Sequence, residues 1–88
     1  DSAMKFCALE SAPNIRVNSI MPGMINTSLI KNRSAFSSEQ LANDIKKYPL
    51  GRYGETDDIS SGVIFLLSAA SKWITGQTLV IDGGRTLL

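Results

Sequence analysis

Two short β-branched runs constrain this chain more than any other feature. One is IRVNSI at residues 15–20, bounded by Pro13 and Pro22. The other is TLVI at residues 78–81, stopped by Asp82-Gly83-Gly84. Each is short and apolar, which suits a largely buried strand better than a helix. Between them lies the clearest helical pattern of the chain. From residue 55 to 70, Ile59, Val63, Leu66 and Ala70 repeat at helical spacing, and Ile64, Phe65 and Leu67 widen the stripe. Thr56 is the expected N-cap, with Asp57 and Asp58 in the first turn, where negative charge is favoured. Gly62 inside this helix costs roughly 1 kcal/mol relative to Ala, which a close approach to a neighbouring element would offset. Two apolar strands joined through a helix imply a parallel pair with a right-handed crossover. The expected class is α/β, of the doubly wound, Rossmann-like kind. Parallel strands normally have neighbours on both sides, and an open edge on strand 15–20 would invite association.

The remaining segments fit that frame. Residues 1–12, DSAMKFCALESA, hold good helix formers, with Ala3, Met4, Cys7, Ala8 and Ser11 on one small apolar face before Pro13. Residues 24–50 are polar and rich in Ser and Asn. They carry two weak helical patches, one at 27–32 and one from Ser38, the expected N-cap, to about Lys47. SKWITG at 71–76 is a connector ending in a glycine turn. Asp82-Gly83-Gly84 reads as an Asx-type turn whose glycines permit positive φ.

With 88 residues, 43% apolar and 19% charged, the chain has the composition of one ordinary globular domain. The net charge is +1 and its basic residues are scattered, so nucleic acid is not an expected partner. There is no histidine, which excludes the usual zinc sites and Ser-His-Asp or Cys-His machinery. The single Cys7 reads as a buried, inert thiol, which fits the cytoplasm or another reducing compartment. No apolar run reaches the ~18 residues that span a bilayer. The chain opens on Asp1 and enters a helical pattern at once, as a piece of a longer protein would.

The strand 15–20 runs into MPGMINT. In isolation, a strand that ends at Pro22-Gly23 is a plain turn. Four blocks in order change that reading: ALESAPNIRVNSI, PGMINT, LGRYGETDDISSGVIFLLS and SKWITGQTLVIDGG. Together they resemble the C-terminal third of a short-chain dehydrogenase/reductase: the end of the interface helix, the sixth strand, the entry to the last large helix and the seventh strand. The resemblance covers nearly all of the chain. It implies residues 1–88 as the C-terminal fragment of a single NAD(P)-binding Rossmann domain, with residues 28–50 as a substrate lid inside it.

The resemblance further implies that Pro22-Gly23 turns the chain away at the carboxyl end of the sheet, where open α/β folds bind ligands. NAD or NADP would lie there. The Ile25 backbone and the Thr27 hydroxyl would meet the nicotinamide carboxamide, and Ser28 and Leu29 would lie near the pyrophosphate. Pro22, Gly23, Ile25, Thr27 and Ser28 form the cofactor set. Met24, Leu29, Phe36 and Leu41 form the lid, with Met24 toward the substrate. Phe36, Leu41 and Ile45 either cover an apolar substrate or pack the lid itself.

The family's Gly-rich phosphate loop, catalytic Ser and Tyr-x-x-x-Lys pair are absent from these residues, and by the family's spacing the Lys falls shortly before Asp1. Neither tyrosine replaces the missing one. Tyr48 and Arg52 are separated by Pro49 and Gly51, which prevents helical stacking. Tyr53 has Asp57 four residues on, and a carboxylate there raises a phenol's pKa. The implied chemistry is hydride transfer between a nicotinamide and a small-molecule carbonyl or secondary alcohol, in a protein that assembles as a homo-oligomer. A self-associating, non-catalytic interaction module is the competing expectation.

Overall fold

The computed structural model describes residues 1–26 and 37–88. Its elements are α1 (Ser2–Ser11), β1 (Ser19–Pro22), α2 (Ser38–Ile45), α3 (Thr56–Leu67) and β2 (Thr78–Ile81), with short 3-10 turns at Ala69–Ser71 and Arg85–Leu87. β1 and β2 pair in parallel, with Ser19 opposite Thr78 and Pro22 opposite Ile81. β2 has the expected bounds. β1 begins four residues later than the expected start at Ile15 and ends at Pro22.

The shift has a physical cause. The residues just before β1 are held by the loop that precedes β2. Val17 N–H donates to the Thr75 hydroxyl at 3.1 Å and the Val17 carbonyl accepts from Gly76 N–H at 2.8 Å. The Asn18 amide bridges Ile74 and Gln77 at 3.0 Å each. Arg16 reaches further. Its guanidinium donates to Ser71 Oγ (3.1 Å) and to the carbonyls of Ile74 (3.2 Å), Leu66 (2.9 Å) and Ser68 (3.4 Å). Leu66 lies in the last turn of α3, where carbonyls lack helical partners and positive charge is favoured. Ser71, 0% exposed, also donates to that end, at 3.0–3.1 Å from the Leu66 and Ser68 carbonyls. A polar staple therefore joins the entry of β1 to the exit of α3.

α3 lies on the sheet through Gly62. A Cβ there would stand 2.5 Å from Ile81 Cδ1, 3.5 Å from Leu79 Cδ2 and 3.6 Å from Ile20 Cδ1. The helix-breaking residue thus allows close packing against both strands, as expected. The cap of α3 is Glu55, with Asp58 accepting from Glu55 N–H at 2.7 Å, where Thr56 was the expected cap. α2 is capped by Ser37, whose hydroxyl accepts from Gln40 N–H at 3.1 Å while Gln40 Oε1 accepts from Ser37 N–H at 2.8 Å. This reciprocal box moves the cap one residue ahead of Ser38. The helical patch expected at 27–32 lies outside the described residues.

The described residues do not close a core of their own. The Cα radius of gyration is 16.1 Å, against about 12 Å for a compact domain of this length. Among the described residues only Ala8 and Tyr48 are buried apolar side chains. Phe6, Leu9, Ile64, Leu67 and Trp73 are exposed, Trp73 at 98%. Cys7, expected to be buried, is exposed as well. None of the described residues is laid over it, so the thiol gives no indication of compartment. Among the described residues no helix is long and apolar enough to cross a membrane.

Candidate functional site

Because the strands run the same way, the chain leaves both at one end. Gly23 N–H donates to the Ile81 carbonyl at 2.9 Å, extending the ladder one step past Pro22. The two backbones are so close there that a Cβ on Gly23 would lie 2.9 Å from Asp82 Cα. Asp82 closes its own turn, as expected. Its carboxylate accepts from Gly84 N–H at 2.9 Å and Thr86 N–H at 3.0 Å. Hydrogen bonding from the Thr86 side chain, and then from nearby backbone N–H groups, holds its pKa below the usual carboxylate value. Gly83 and Gly84 follow at φ 62° and 88°, which only glycine adopts freely.

The loop 48–54 docks on this end. Leu50 N–H donates to the Gly83 carbonyl at 3.0 Å. Gly54 forms a parallel bridge with Ile25: its N–H donates to the Met24 carbonyl (3.0 Å) and its carbonyl accepts from Asn26 N–H (2.7 Å). In such a bridge the residue between the two bonded neighbours turns its own N–H and C=O to the opposite side. Ile25 is that residue, and neither group has a recorded partner among the described residues. Gly54 is needed for the approach, since a Cβ on it would lie 2.9 Å from Ile25 Cδ1.

Arg52 fixes the loop to α3. Its guanidinium meets the Asp58 carboxylate with both nitrogens, at 2.8 and 3.2 Å, and also donates to the Tyr53 carbonyl at 3.0 Å. The Arg52 hydrogen bond, with that from Glu55 N–H, brings the Asp58 pKa down to about 2.

Gly23, Met24, Ile25, Gly54, Arg52, Asp58 and Asp82 thus surround a cleft of about 120 Å³. Beside it, Pro22, Ile25, Ile59, Val63 and Ile64 line a wider apolar groove of about 510 Å³. Ile25 is common to both. Of the residues singled out from sequence, the structure brings Pro22, Gly23, Met24 and Ile25 together. Leu41, half-buried on α2, lines neither opening. Thr27, Ser28, Leu29 and Phe36 lie outside the described residues. Sequence reasoning missed the Arg52–Asp58 pair and the role of Gly54. The Gly-Arg-x-Gly block was the available signal, but the partner of the arginine sits across a turn, beyond any helical spacing. Tyr53 also has a different partner from the one expected: its hydroxyl bonds the carboxylate of Asp44, not Asp57.

The segments that meet here are the same blocks that carried the resemblance, from distant parts of the sequence. A model of a family described as enoyl-(acyl carrier protein) reductase matches residues 1–86. The chain belongs to the short-chain dehydrogenase/reductase family. Among its relatives is a tropinone reductase homolog of Arabidopsis thaliana, 44% identical over 78 residues, covering 88% of this chain and 28% of the relative. The 3-oxoacyl-[acyl-carrier-protein] reductase FabG of Chlamydia pneumoniae is 42% identical, covering 86% of this chain and 29% of its own length. A solved 4-hydroxyisoleucine dehydrogenase complexed with NADH superposes with a TM-score of 0.86 at 34% identity, over 99% of this chain and 36% of that one. The chain spans roughly a third of these family members, from 26% to 34% of the curated relatives' lengths. The parallel pair with helices agrees with their α/β architecture.

Proposed function

We propose that this chain is the C-terminal part of an NAD(P)-dependent oxidoreductase that moves hydride between a nicotinamide and a carbonyl or secondary-alcohol carbon. The observation that carries this reading is the Ile25 backbone. Its N–H and C=O face away from Gly54 at the carboxyl end of two parallel strands. A planar carboxamide needs one donor and one acceptor at fixed positions, and Ile25 supplies that pair from a rigid ladder. The cofactor, when bound, supplies the hydride. Gly23 and Gly54 set the position of Ile25, Arg52 and Asp58 brace the loop behind it, and Met24 faces the substrate. Thr27 and Ser28 continue the cofactor wall, and residues 28–50 form the lid. The choice of NAD(P) follows relatives such as the NADH-bound dehydrogenase and an L-rhamnose 1-dehydrogenase (NAD(P)(+)) of Azotobacter vinelandii, 38% identical over 85 residues.

The exposed apolar surfaces support a larger protein around this piece. The catalytic Tyr and Lys and the phosphate-binding loop belong to that remainder, and the 88-residue chain by itself is inactive. The same surfaces favour one other reading, a self-associating module without chemistry, and one titration separates the two. NAD(P)H fluorescence should saturate in the micromolar range, typical of enzyme substrates, when the upstream residues are present. The isolated chain should show no saturation below about millimolar, because the helix N-terminus that would hold the phosphates is elsewhere. Failure of the longer protein to bind, or upstream residues without Tyr-x-x-x-Lys before Asp1, contradicts the enzyme reading.

A further inference from the structure

We propose that the hydrogen bond from the Tyr53 hydroxyl to the Asp44 carboxylate is a latch that fixes the carboxyl-terminal end of α2 to the loop ahead of α3. Tyr53 is then a positioning residue of the lid, a role that rests on the reading of residues 28–50 given above. Among the described residues little else holds α2. None of its residues is buried, and the extensive contacts between elements join β1, β2, α3 and the turn after α3, without α2. Its capping box is internal, between Ser37 and Gln40. Among the described residues, the Tyr53–Asp44 bond is the one side-chain hydrogen bond that ties α2 to anything beyond the turn that follows it.

Asp44 sits where a carboxylate needs a partner. A carboxylate in the last turn of a helix opposes the helix dipole, so Asp44 weakens α2 taken alone. Its surroundings compensate. Lys47 stands 3.4 Å away, Arg85 contributes positive charge, and the Tyr53 hydroxyl donates, so the carboxyl is held below its usual pKa, the Tyr53 bond being the largest cause. The Tyr53 ring is fixed in turn. It meets Tyr48 edge-on at 5.4 Å between centroids. Tyr48 is 8% exposed and lies against the Asp82-Gly83-Gly84 turn, with its Cδ1 3.6 Å from where a Gly83 Cβ would be. A continuous path of contacts thus runs from the strand ends through both tyrosines to the end of α2.

The test is amide hydrogen exchange on the protein that includes the upstream residues and on its Tyr53→Phe variant. Phe keeps the edge-on ring contact and removes only the hydroxyl. Exchange across Ser38–Ile45 should rise roughly tenfold, the range of one hydrogen bond to a charged group, while α3 and β2 change less than about twofold. A uniform rise in all three elements, no change in α2, or α2 already exchanging at the random-coil rate in the parent would overturn the proposal. Alkaline titration of tyrosine absorbance gives a second readout that a purely packing role would not move. The Asp44 bond pushes the Tyr53 phenol up to about 12, and Asp44→Asn should return it toward 10. An unchanged phenol in that variant would also refute the latch. Neither measurement needs cofactor or substrate, so the latch and the oxidoreductase reading can fail separately.

Discussion

Replacing Arg16 by Ala is expected to lower the stability of the fold by about 3 kcal/mol, because several part-buried acceptors lose their donor at once. The guanidinium bonds Ser71 Oγ and the carbonyls of Ile74, Leu66 and Ser68. Ser71 is fully buried, so solvent cannot readily replace the lost donor. The missing charge also leaves the carboxyl-terminal end of α3 without its cation. Lysine should rescue little. A single ammonium cannot span acceptors that face the two nitrogens of a planar fork. The check is a urea melt of the protein that includes the upstream residues, in which the midpoint of both Arg16→Ala and Arg16→Lys should fall by more than about 1 M if the slope is ordinary. A lysine variant as stable as the parent would mean that the fork geometry is unimportant.

Gly23→Ala is expected to cost about 2–3 kcal/mol and, in the longer protein, to weaken cofactor binding as well. The added methyl would meet the Cα and Cβ of Asp82 at 2.9 and 3.0 Å. Asp82 is held by its own turn to Gly84 and Thr86, so it has little freedom to retreat. The strand ends must then separate, which disturbs the Gly23–Ile81 bond and moves Ile25, two residues on. Thermal melting reads the stability, and the KM for NAD(P)H reads the displacement. A stable variant with an unchanged KM would show that this close approach is incidental.

The sequence disclosed the architecture better than the details of the site. The β-branched run 78–81 marked β2 by residue type alone. Asp82-Gly83-Gly84 has a purely local reason that the structure repeats, and Gly62, costly within a helix, marks the close helix–strand approach that the structure contains. β1 was less legible. Residues 15–18 have strand-like side chains, yet Arg16, Val17 and Asn18 bond to a loop some 55–60 residues away, so tertiary partners decide where the ladder starts. Pro22 falls inside β1 although proline usually ends a strand. At this last position the ladder bond comes from Gly23 N–H, and the missing proline N–H is not needed. The expected burial of Cys7 failed because helical periodicity reports which face is apolar and not whether a neighbour exists to cover it. Tyr53 was paired with Asp57 by helical spacing, but Gly54 and the start of α3 at Thr56 break that spacing and leave Tyr53 free to meet Asp44.

The proposed cofactor role depends on how one residue is displayed. The Gly54 bridge, the Gly23 approach and the Arg52–Asp58 brace all serve to hold Ile25 at the strand ends with its own N–H and C=O turned outward. Ile25→Pro removes that N–H, which the bridge to Gly54 does not use, and Ile25→Val, which keeps the N–H, controls for the altered side chain in the lining of both openings. The decisive measurement is the kcat/KM for NAD(P)H of the proline variant in the protein that includes the upstream residues, followed by absorbance at the nicotinamide band. A loss of roughly tenfold or more with circular dichroism unchanged, the value of one hydrogen bond to a bound group, is the expected result. Full activity in Ile25→Pro would contradict the assignment of this strand end to the nicotinamide.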